Sequence, residues 1–401
     1  MNVPVYIEKV LEVLYKNGFE GYLVGGCVRD ALMGKIPHDY DLTTNALPHE
    51  IINCFEGYRV IETGIKHGTV TVVSDGENVE ITTYRIDGAY KDNRHPEEVN
   101  FTKNIHEDLS RRDFTVNAIA YSPRDGYVDV FGGREDIQNK LIRCVGCADT
   151  RFNEDGLRIM RAVRFSSVLG FSIEADTADA IHRKCGLLKN ISAERKFSEF
   201  KKLICGKMAK NVLEEYYDVM CIVFPELEKY RASYMENICC LPNESFDEIS
   251  ACASIFYGAD IADVKKMIRS LKTDNDFYSN VVILSEYLKK NIKCDEISVR
   301  YIMNKLSADN ILRLSAVKKA LFADFTCTEF IDEYHRQVKN GACVRIKDLC
   351  IDGSEVIRLG IPKGPEVGNI LDKLLCAVIE NRCPNTREAL AREVKKFLPE
   401  V

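Results

Sequence analysis

The stretch that decides the fold is YLVGGCVRDALMGKIPHDYDLTTNALP, residues 22–48. An apolar run ends at a glycine pair, a helical pattern follows, and two aspartates, Asp39 and Asp41, then stand one residue apart. A strand, a glycine turn and a helix together let backbone amides approach a phosphate closely. Glycine pairs also occur in such turns for packing alone, so both interpretations stay open here. The candidate phosphate-binding residues are Gly25, Gly26 and, one turn into the helix, Arg29.

The Asp-x-Asp pair predicts a site for a hard cation. If Asp39 and Asp41 lie on a strand, both carboxylates point to one face of the sheet. The stretch ENVEITTYR, residues 77–85, offers a third carboxylate, Glu80, on a second predicted strand. Magnesium prefers oxygen ligands and substrate phosphates, and two such ions could activate a hydroxyl and stabilise a leaving pyrophosphate. The alternatives are a turn that binds nothing and an ordinary exposed sheet residue.

The stretch RRDFTVNAIA, residues 111–120, groups charged and polar side chains in two turns. Asp113 and Asn117 are four residues apart and share one face if the segment is helical. That face suits sugar hydroxyls, and the guanidinium of Arg112 suits a phosphate. A salt-bridged helix start without a ligand is the alternative.

The stretch NEDGLRIMRAVRF, residues 153–165, predicts a helix that Asn153 can cap and that carries Asp155 and Arg158 one turn apart. A carboxylate accepts from the exocyclic amine of cytosine or adenine, and a guanidinium donates to the neighbouring ring nitrogen. Uracil and guanine present the opposite polarity and would leave groups unpaired. An exposed Asp–Arg salt bridge is the alternative, and Gly156 indicates a bend or a close approach. The same ridge continues with Arg161 and Arg164.

The composition bounds the class of protein. A chain of 401 residues with 46% hydrophobic residues can form two to four domains, each with a core. The net charge of −6 argues against a general nucleic-acid coat. Residues 151–210, however, hold thirteen Lys or Arg against seven Asp or Glu, which indicates either a basic groove or a solvated helical face.

The 16 cysteines follow no compact framework and predict reduced thiols in a cytoplasmic protein. Zinc or redox chemistry at Cys144-x-x-Cys147 is disfavoured, because no second close Cys/His pair follows. No apolar run reaches the roughly 18 residues of a membrane span, and the N-terminus does not resemble a signal peptide. We therefore expect no membrane contact.

The chain changes in texture along its length. Residues 4–17 predict a helix, and five short β-rich runs follow between residues 20 and 130, which indicates a mixed α/β unit. After about residue 137 the patterns are almost entirely helical. The predicted strands are GYLV, YDLTT, GTVTVV, VEITTYRI and AIAYSP.

Taken together and in order, these stretches resemble the motifs of the class II tRNA nucleotidyltransferases, the bacterial-type CCA-adding enzymes of the polymerase β-like superfamily. The resemblance implies that Asp39 and Asp41 bind Mg²⁺ and that Asp39, Asp41 and Glu80 are the catalytic carboxylates. It further implies that Asp155 and Arg158 read the incoming base. The implied nucleotide-binding residues are Gly25, Gly26, Arg29, Arg112, Asp113, Asp155, Arg158, Arg161 and Arg164.

The resemblance also implies an α+β architecture. A nucleotidyltransferase head with a mixed β-sheet and helices would span residues 1–136, ending near the hinge-like DVFGGREDI at 129–137. All-helical parts would follow: a neck for base recognition at 137–205, a body for tRNA binding at 206–315, and a tail for the tRNA elbow at 316–401. Within the neck, SAERKFSEFKKLI resembles the helix that supports the base-reading residues.

The implied activity is template-independent addition of CCA to tRNA 3′ ends from CTP and ATP, with release of pyrophosphate. The long polar segment 85–110 resembles the flexible loop of CCA- and A-adding members, which argues against a CC-only enzyme. A-only addition and a bacterial poly(A) polymerase are the alternatives on the same scaffold. A non-catalytic RNA-binding protein and a metal-dependent hydrolase are the rivals from other classes.

Overall fold

The computed structural model describes residues 1–87, 99–242, 246–323 and 325–398. Residues 88–98, the middle of the predicted long loop, therefore lie outside the described residues. The chain divides into two compact units. The first comprises residues 1–229 and 270–272, and the second comprises Tyr230–Arg269 and the described residues from Thr273 onward. The predicted division into head, neck, body and tail is finer than this and stays a prediction.

A mixed β-sheet organises the first unit. Its seven strands lie in the order β3-β4-β5-β2-β1-β8-β9. Strands β2 and β5 pair in parallel, and the other neighbours pair antiparallel. A separate short hairpin is formed by β6 and β7. The described strands of this part are β1 (Tyr22–Val24), β2 (Asp41–Thr44), β3 (Arg59–Ile61), β4 (Thr69–Ser74), β5 (Glu77–Thr83), β6 (Arg85–Asp87), β7 (Val99–Phe101), β8 (Ile119–Ser122) and β9 (Gly126–Asp129).

The five predicted strands are all confirmed, because short runs of β-branched and aromatic residues are a local signal in the sequence. Burial alternates clearly in β4 and β5, whereas β1 and most of β2 are buried throughout. In β5, Val79, Ile81 and Thr83 are buried, whereas Glu80 is exposed. The sequence did not predict the two edge strands β3 and β9, since each has only three or four residues, none of them buried. A three-residue run carries too few alternations to be recognised.

Helices lie between the strands of the first unit and predominate after β9. The N-terminal helix buries Ile7, Val10, Leu11 and Leu14 along one stripe, as predicted. After β9 the first unit is helical apart from the two-residue strands β10 (Leu141–Ile142) and β11 (Ser172–Ile173), among the residues that are described. The helices are α1 (Val5–Lys16), α2 (Gly26–Leu32), α3 (Pro48–Cys54), α4 (Ile105–Ser110), α5 (Gly133–Gln138), α6 (Ala148–Glu154), α7 (Leu157–Leu169), α8 (Ala175–Lys184), α9 (Ala193–Ile204), α10 (Ala209–Glu215) and α11 (Tyr217–Val223).

The second unit is helical throughout its described residues. Polar caps begin several of its helices: the side chains of Asp247, Asp274, Asp295, Ser307 and Thr386 each accept from a backbone N–H three residues on. The helices are α12 (Arg231–Cys239), α13 (Glu248–Ile255), α14 (Ile261–Ser270), α15 (Asn275–Leu288), α16 (Glu296–Lys305), α17 (Ala308–Leu321), α18 (Cys327–Lys339), α19 (Gly353–Arg358), α20 (Pro365–Ile379) and α21 (Arg387–Lys395).

A local core holds the end of the second unit. Val356, Ile370, Leu374 and Leu390, from three helices, are each at most 1% exposed and pack in one cluster. The predicted α+β class, a mixed sheet followed by helices, is confirmed. No described helix has both the length and the apolar character that crossing a membrane requires.

Candidate active site

The glycine turn between β1 and α2 lies close to the guanidinium groups of Arg112 and Arg29. Gly25 has φ 74° and ψ −129°, a conformation that L side chains rarely adopt. A Cβ at Gly25 would lie 3.3 Å from Nη1 of Arg112, and one at Gly26 would lie 3.6 Å from Nη2 of Arg29. The absence of a side chain at Gly25 therefore leaves room for Arg112.

Two of the predicted carboxylates lie side by side on the sheet. Asp41 begins β2 and is the register partner of Glu80 on the parallel strand β5. Both residues are exposed. Asp39 is also exposed but precedes β2, so the prediction that it shares a strand with Asp41 is wrong. The strand pairing that would bring Glu80 beside Asp41 is confirmed.

The electrostatics of Asp41 are those of a carboxylate among other carboxylates. The surrounding protein partly desolvates it and raises its pKa, and the charges of Glu80 and Asp39 raise that pKa further. The positive charge of Arg112 acts in the opposite direction. A positive charge bound next to Asp41 would relieve its repulsion with the carboxylates of Glu80 and Asp39.

The donors fit a hard cation. Asp39 and Asp41 offer only carboxylate oxygens, and Mg²⁺ is commonly held by one or two carboxylates together with substrate phosphates. The described residues contain no group of three or more His, Cys, Asp or Glu side chains that could hold a metal ion. The predicted pocket of three carboxylates is therefore not assembled by the side chains alone.

Arg112 is held in place but keeps one donor unused. Its Nη2 donates to Oδ2 of the fully buried Asp108 at 3.2 Å, and Arg111 binds the other oxygen of the same carboxylate at 2.7 Å. Burial would raise the pKa of Asp108, but the two guanidinium groups lower it. Nε of Arg112 is buried and has no hydrogen-bond partner among the residues that are described.

The segment that follows Arg112 is not the predicted helix. Helix α4 ends at Ser110, and only Thr115–Asn117 forms a single 3-10 turn. Asp113 and Asn117 are nevertheless in contact, as predicted, because Nδ2 of Asn117 donates to Oδ1 of Asp113 at 3.2 Å. Nη1 of Arg29 donates to Oδ1 of Asn117 at 2.7 Å. Asn117 therefore connects the glycine-turn helix to Asp113.

Helix α5 packs closely against this turn. Oγ1 of Thr115 donates to Oδ2 of the buried Asp136 at 2.6 Å. A Cβ at Gly133 would overlap the backbone carbonyl of Thr115. Only glycine permits this close approach of α5 to Thr115. The contact helps to hold the 3-10 turn in place.

Asp113 forms the strongest electrostatic pairing of the site. Its Oδ2 accepts a hydrogen bond from Nε of Arg161 at 2.7 Å and forms an ion pair with Nη2 of the same guanidinium at 2.6 Å. Burial by itself would raise the pKa of Asp113, but Arg161 and the hydrogen bond from Asn117 lower it to about 2. Asp113 is consequently ionised at neutral pH.

The stretch that was predicted to form one helix instead contains a break. Helix α6 ends at Glu154, Asp155 is extended with φ −139° and ψ 104°, and α7 begins at Leu157. Asn153 lies inside α6, so it is not the predicted cap. A Cβ at Gly156 would lie 3.1 Å from the Cβ of Leu187, which confirms both the bend and the close approach.

The two predicted base-reading side chains are held by different partners. Oδ1 of Asp155 accepts from the backbone N–H of Leu157 at 3.0 Å, and its Oδ2 accepts from Nη2 of Arg195 at 2.6 Å. Arg158 is buried; its Nη1 donates to the carbonyl of Arg151 at 3.1 Å and to the carboxylate of Glu154. Its buried position is incompatible with an exposed Asp–Arg salt bridge.

One aromatic ring gathers three guanidinium groups. The Cζ atoms of Arg29, Arg161 and Arg164 lie 5.2, 5.3 and 3.8 Å from the centroid of the Phe165 ring. Nε of Arg164 donates to the buried carboxylate of Glu199 on α9 at 2.5 Å. Cation–π contacts of this kind stabilise guanidinium groups that lie close to one another.

Sequence reasoning missed several contributors to this site: Glu154, Phe165, Arg195 and Glu199. Arg195 and Glu199 lie four residues apart on α9, so the i,i+4 spacing within SAERKFSEFKKLI was the available signal. Arg195 is 40 residues from its partner Asp155, and Glu199 is 35 residues from its partner Arg164. No local sequence pattern identifies pairs that are so far apart.

Cys144 and Cys147 do not form a metal site with other described residues. Cys144 is buried, and burial raises the pKa of its thiol to about 12. A thiol with this pKa is protonated at neutral pH.

Comparison with known protein families covers most of the chain. A family described as the poly A polymerase head domain matches residues 21–143, and one described as tRNA nucleotidyltransferase domain 2 matches residues 244–394. Residues 170–231 match a family described as an RNA- and SrmB-binding site of polymerase A. The first match contains the glycine turn and all three carboxylates.

Full-length relatives give the same result. The CCA-adding enzyme of Ligilactobacillus salivarius is 34% identical, over 100% of this chain and 98% of the relative. The CCA-adding enzyme of Pediococcus pentosaceus is 35% identical, over 97% and 96%. Among solved structures, the Bacillus stearothermophilus CCA-adding enzyme in complex with CTP superimposes with a TM-score of 0.77 at 28% identity, covering 98% of both chains. The Thermotoga maritima CCA-adding enzyme complexed with tRNA shares the fold, with a TM-score of 0.65 at 20% identity.

Proposed function

The chain belongs to the CCA-adding enzyme family of tRNA nucleotidyltransferases, and from that membership we propose that it adds C, C and A to tRNA 3′ ends from CTP and ATP. The relatives whose names state this activity cover the whole chain, and the related structure that contains CTP has the same fold. The reaction is template-independent, and each step releases pyrophosphate.

One observation carries the chemical part of the proposal: the parallel register that sets Asp41 beside Glu80. Asp41 is exposed, and its pKa is raised by desolvation and by neighbouring carboxylates. Such a carboxylate gains from a bound cation and is also a better proton acceptor than an ordinary aspartate.

In the proposed reaction, Asp39 and Asp41 hold Mg²⁺. When bound, the metal supplies Lewis-acid stabilisation of the phosphoryl oxygens. The 3′-hydroxyl oxygen of the tRNA forms a bond to the α-phosphorus as the bond to pyrophosphate breaks, and Asp41 or Glu80 accepts the hydroxyl proton. The Gly25–Gly26 turn and Arg112, whose Nε has no hydrogen-bond partner among the described residues, bind the triphosphate. Arg29 positions this turn through Asn117.

Asp155 and Arg158 choose the base in this proposal. The Asp155 carboxylate accepts from the exocyclic amine shared by cytosine and adenine, and Arg158 donates to the adjacent ring nitrogen. Arg195 and Glu154 hold the two side chains before the nucleotide arrives. Asp113 contacts the ribose, and Arg161 and Arg164 hold the nucleotide from the same helix.

The remaining assignments follow the predicted parts of the chain. We assign catalysis to residues 1–136, base recognition to 137–205, tRNA binding to 206–315 and elbow binding to 316–401. We also assign the protein to the cytoplasm, where its free cysteines would stay reduced.

The decisive experiment incubates the protein with tRNA that lacks its 3′ CCA, in the presence of Mg²⁺ and CTP, ATP or both, followed by sequencing of the products. We expect CC with CTP alone and CCA with both nucleotides. Addition of A only to tRNA that already ends in CC would identify an A-adding enzyme. Long A tails on unstructured RNA would identify a poly(A) polymerase, and the absence of any addition would contradict the proposal.

A further inference from the structure

The last turn of helix α4 carries a carboxylate that is shielded from solvent. Asp108 is 0% exposed and lies between two consecutive guanidinium groups. Its Oδ1 accepts from Nε of Arg111 at 2.9 Å and from Nη2 of Arg111 at 2.7 Å, and its Oδ2 accepts from Nη2 of Arg112 at 3.2 Å. Oδ1 also accepts from the backbone N–H of Arg85 at 3.3 Å. One buried carboxylate therefore holds donors from three residues.

The charge of this carboxylate is maintained at neutral pH. Burial raises the pKa of Asp108, but the charges of Arg112 and Arg111 and their hydrogen bonds outweigh burial and lower it. A buried ion pair of this kind contributes little net stability, because desolvation of the charges offsets most of their attraction. Removing one partner is costly, however, since it leaves the other charges unbalanced.

One set of contacts leads from Asp108 to the glycine turn. Nη2 of Arg112 is bound by Asp108, and Nη1 of the same guanidinium lies 3.3 Å from the position of a Cβ at Gly25. The guanidinium is planar and rigid, so fixing one of its nitrogens sets the direction of the others. Asp108 therefore determines where Arg112 presents its remaining donors at the turn.

A second set of contacts leads from Asp108 to the helix proposed to read the base. The backbone carbonyl of Arg111 accepts from Nη2 of Arg158 at 2.9 Å. This carbonyl lies just past the end of α4, where carbonyls have no partner within the helix. Because the side chain of Arg111 is anchored to Asp108, the same carboxylate also helps to fix the acceptor that holds Arg158.

We propose that Asp108 is a positioning residue that aligns Arg112, at the triphosphate, with Arg158, at the base. It contacts neither group of the nucleotide itself and acts through the guanidinium of Arg112 and the carbonyl of Arg111. Triphosphate binding and base choice then depend on one buried carboxylate. The inference rests on the proposed function, in that it takes the ligand to be CTP or ATP.

The test replaces Asp108 by asparagine, which keeps the shape of the side chain but removes its charge. An amide has one oxygen, so it cannot accept from both arginines. We expect the KM for CTP to rise about 10-fold, which corresponds to the loss of one charge-assisted hydrogen bond. The preference for CTP over UTP should fall by a similar factor, whereas the KM for tRNA should not change. Equilibrium titrations with CTP and UTP in the absence of tRNA measure the same two effects without turnover.

A double-mutant cycle distinguishes positioning from a purely structural role. Arg112→Gln should itself raise the KM for CTP, and adding Asp108→Asn should raise that KM no further, because the effect of Asp108 on the triphosphate passes through Arg112. The preference for CTP over UTP should still fall in the double variant, since that effect passes through Arg111. Loss of fold stability alone would reduce the fraction of active protein and leave the KM of the folded fraction unchanged.

Two further variants complete the experiment. Arg111→Gln removes a partly exposed side chain and leaves Arg112 bound to Asp108, so it should weaken the preference for CTP while the KM for CTP stays nearly unchanged. This variant tests the proposal even if Asp108→Asn does not fold. Glu333→Gln is the matched control, because Glu333 is a buried carboxylate of the second unit that binds Gln337 at 2.6 Å and pairs with Arg336. It should lower the melting temperature without changing the KM for CTP or the preference for CTP.

Three outcomes would overturn the inference: wild-type CTP affinity and base preference in folded Asp108→Asn, additive effects of Asp108→Asn and Arg112→Gln on the KM for CTP, or an unchanged base preference in Arg111→Gln. Equal effects in Glu333→Gln would also count against it, because they would show a general response to lost stability. If the wild-type protein binds CTP but does not extend tRNA, the proposed function fails, and the CTP and UTP titrations still decide the role of Asp108.

Discussion

Asp113 and Arg161, 48 residues apart in sequence, are joined at a single carboxylate oxygen, which accepts a hydrogen bond from Nε at 2.7 Å and lies 2.6 Å from Nη2 of the same guanidinium. The other oxygen of Asp113 binds Asn117, which in turn binds Arg29. The helix proposed to read the base is thereby tied to the turn proposed to bind the triphosphate. Displacing either one changes the geometry of the other.

Asp113→Asn should destabilise the protein in a pH-dependent manner. The pKa of Asp113 is about 2 in the folded chain against an ordinary value of 3.8. Ionised Asp113 therefore contributes stability that is fully present above about pH 4 and is lost as the pH falls towards 2, amounting to about 2 kcal/mol. Urea unfolding of both proteins between pH 7 and pH 2.5 should give free energies that converge at low pH. A pH-independent difference would contradict the assignment.

Asp41→Asn should abolish nucleotide addition while preserving tRNA affinity. The amide keeps the size of the side chain but removes the charge that holds the cation and accepts the proton, a loss of about 10²- to 10⁴-fold in kcat. Asp75→Asn is the matched control, since Asp75 is an exposed carboxylate in the turn between β4 and β5 that pairs with Lys9. Turnover of labelled CTP near the wild-type rate in Asp41→Asn would refute the catalytic role.

Gly25→Ala should raise the KM for CTP by displacing Arg112. The new Cβ would lie 3.3 Å from the guanidinium, and the backbone at φ 74° adds about 1–2 kcal/mol of strain. Gly18→Ala also places a side chain at positive φ, 83°, but meets no atom within 4 Å. Both variants should melt at a lower temperature than the wild type, whereas the KM for CTP should rise only in Gly25→Ala. An equal KM in both variants would argue against Arg112 at the triphosphate.

Arg158→Ala should weaken discrimination against UTP and GTP. Losing a base-reading guanidinium costs about 10- to 100-fold in selectivity. The variant should also be less stable, because Arg158 is buried and donates to backbone carbonyls. Arg151→Ala, which removes another partner of Glu154, separates the two effects. Misincorporation measured by sequencing should increase in Arg158→Ala alone.

Phe165→Leu should raise the KM for CTP about 5-fold through the arginines around the ring. Leucine retains most of the apolar volume but has no π face for Arg29, Arg161 and Arg164. Phe171→Leu, also at a buried position, makes the same change in volume as a control. If both variants bind CTP equally well, Phe165 acts only as a core residue.

The sequence predicted what depends on local pattern. Alternating burial placed Glu80 on the exposed face of its strand. That this strand pairs with β2 was only a condition of the prediction, and the register of Glu80 with Asp41 comes from the structure. Gly156 indicated a bend or a close approach, but the end of one helix at Glu154 and the start of another at Leu157 were not predicted. The contact of Gly156 with Leu187 forms only in the folded chain.

Two other departures have different origins, one local and one long-range. Residues 111–117 read as a helix by spacing, but Asp113 bonds its own neighbour, the backbone N–H of Phe114, at 2.8 Å. This local bond competes with helical hydrogen bonding. The partners Arg195 and Glu199 are distant in sequence, and their charges matter only because burial makes unpaired groups costly.

The narrow gap at Gly133 has a genetic consequence. Any side chain there must push α5 away from the carbonyl of Thr115, two residues from Asp113. A substitution at position 133 should therefore destabilise the protein. Because unfolding rates rise steeply with temperature, a strain that depends on such an allele should be impaired first at elevated temperature.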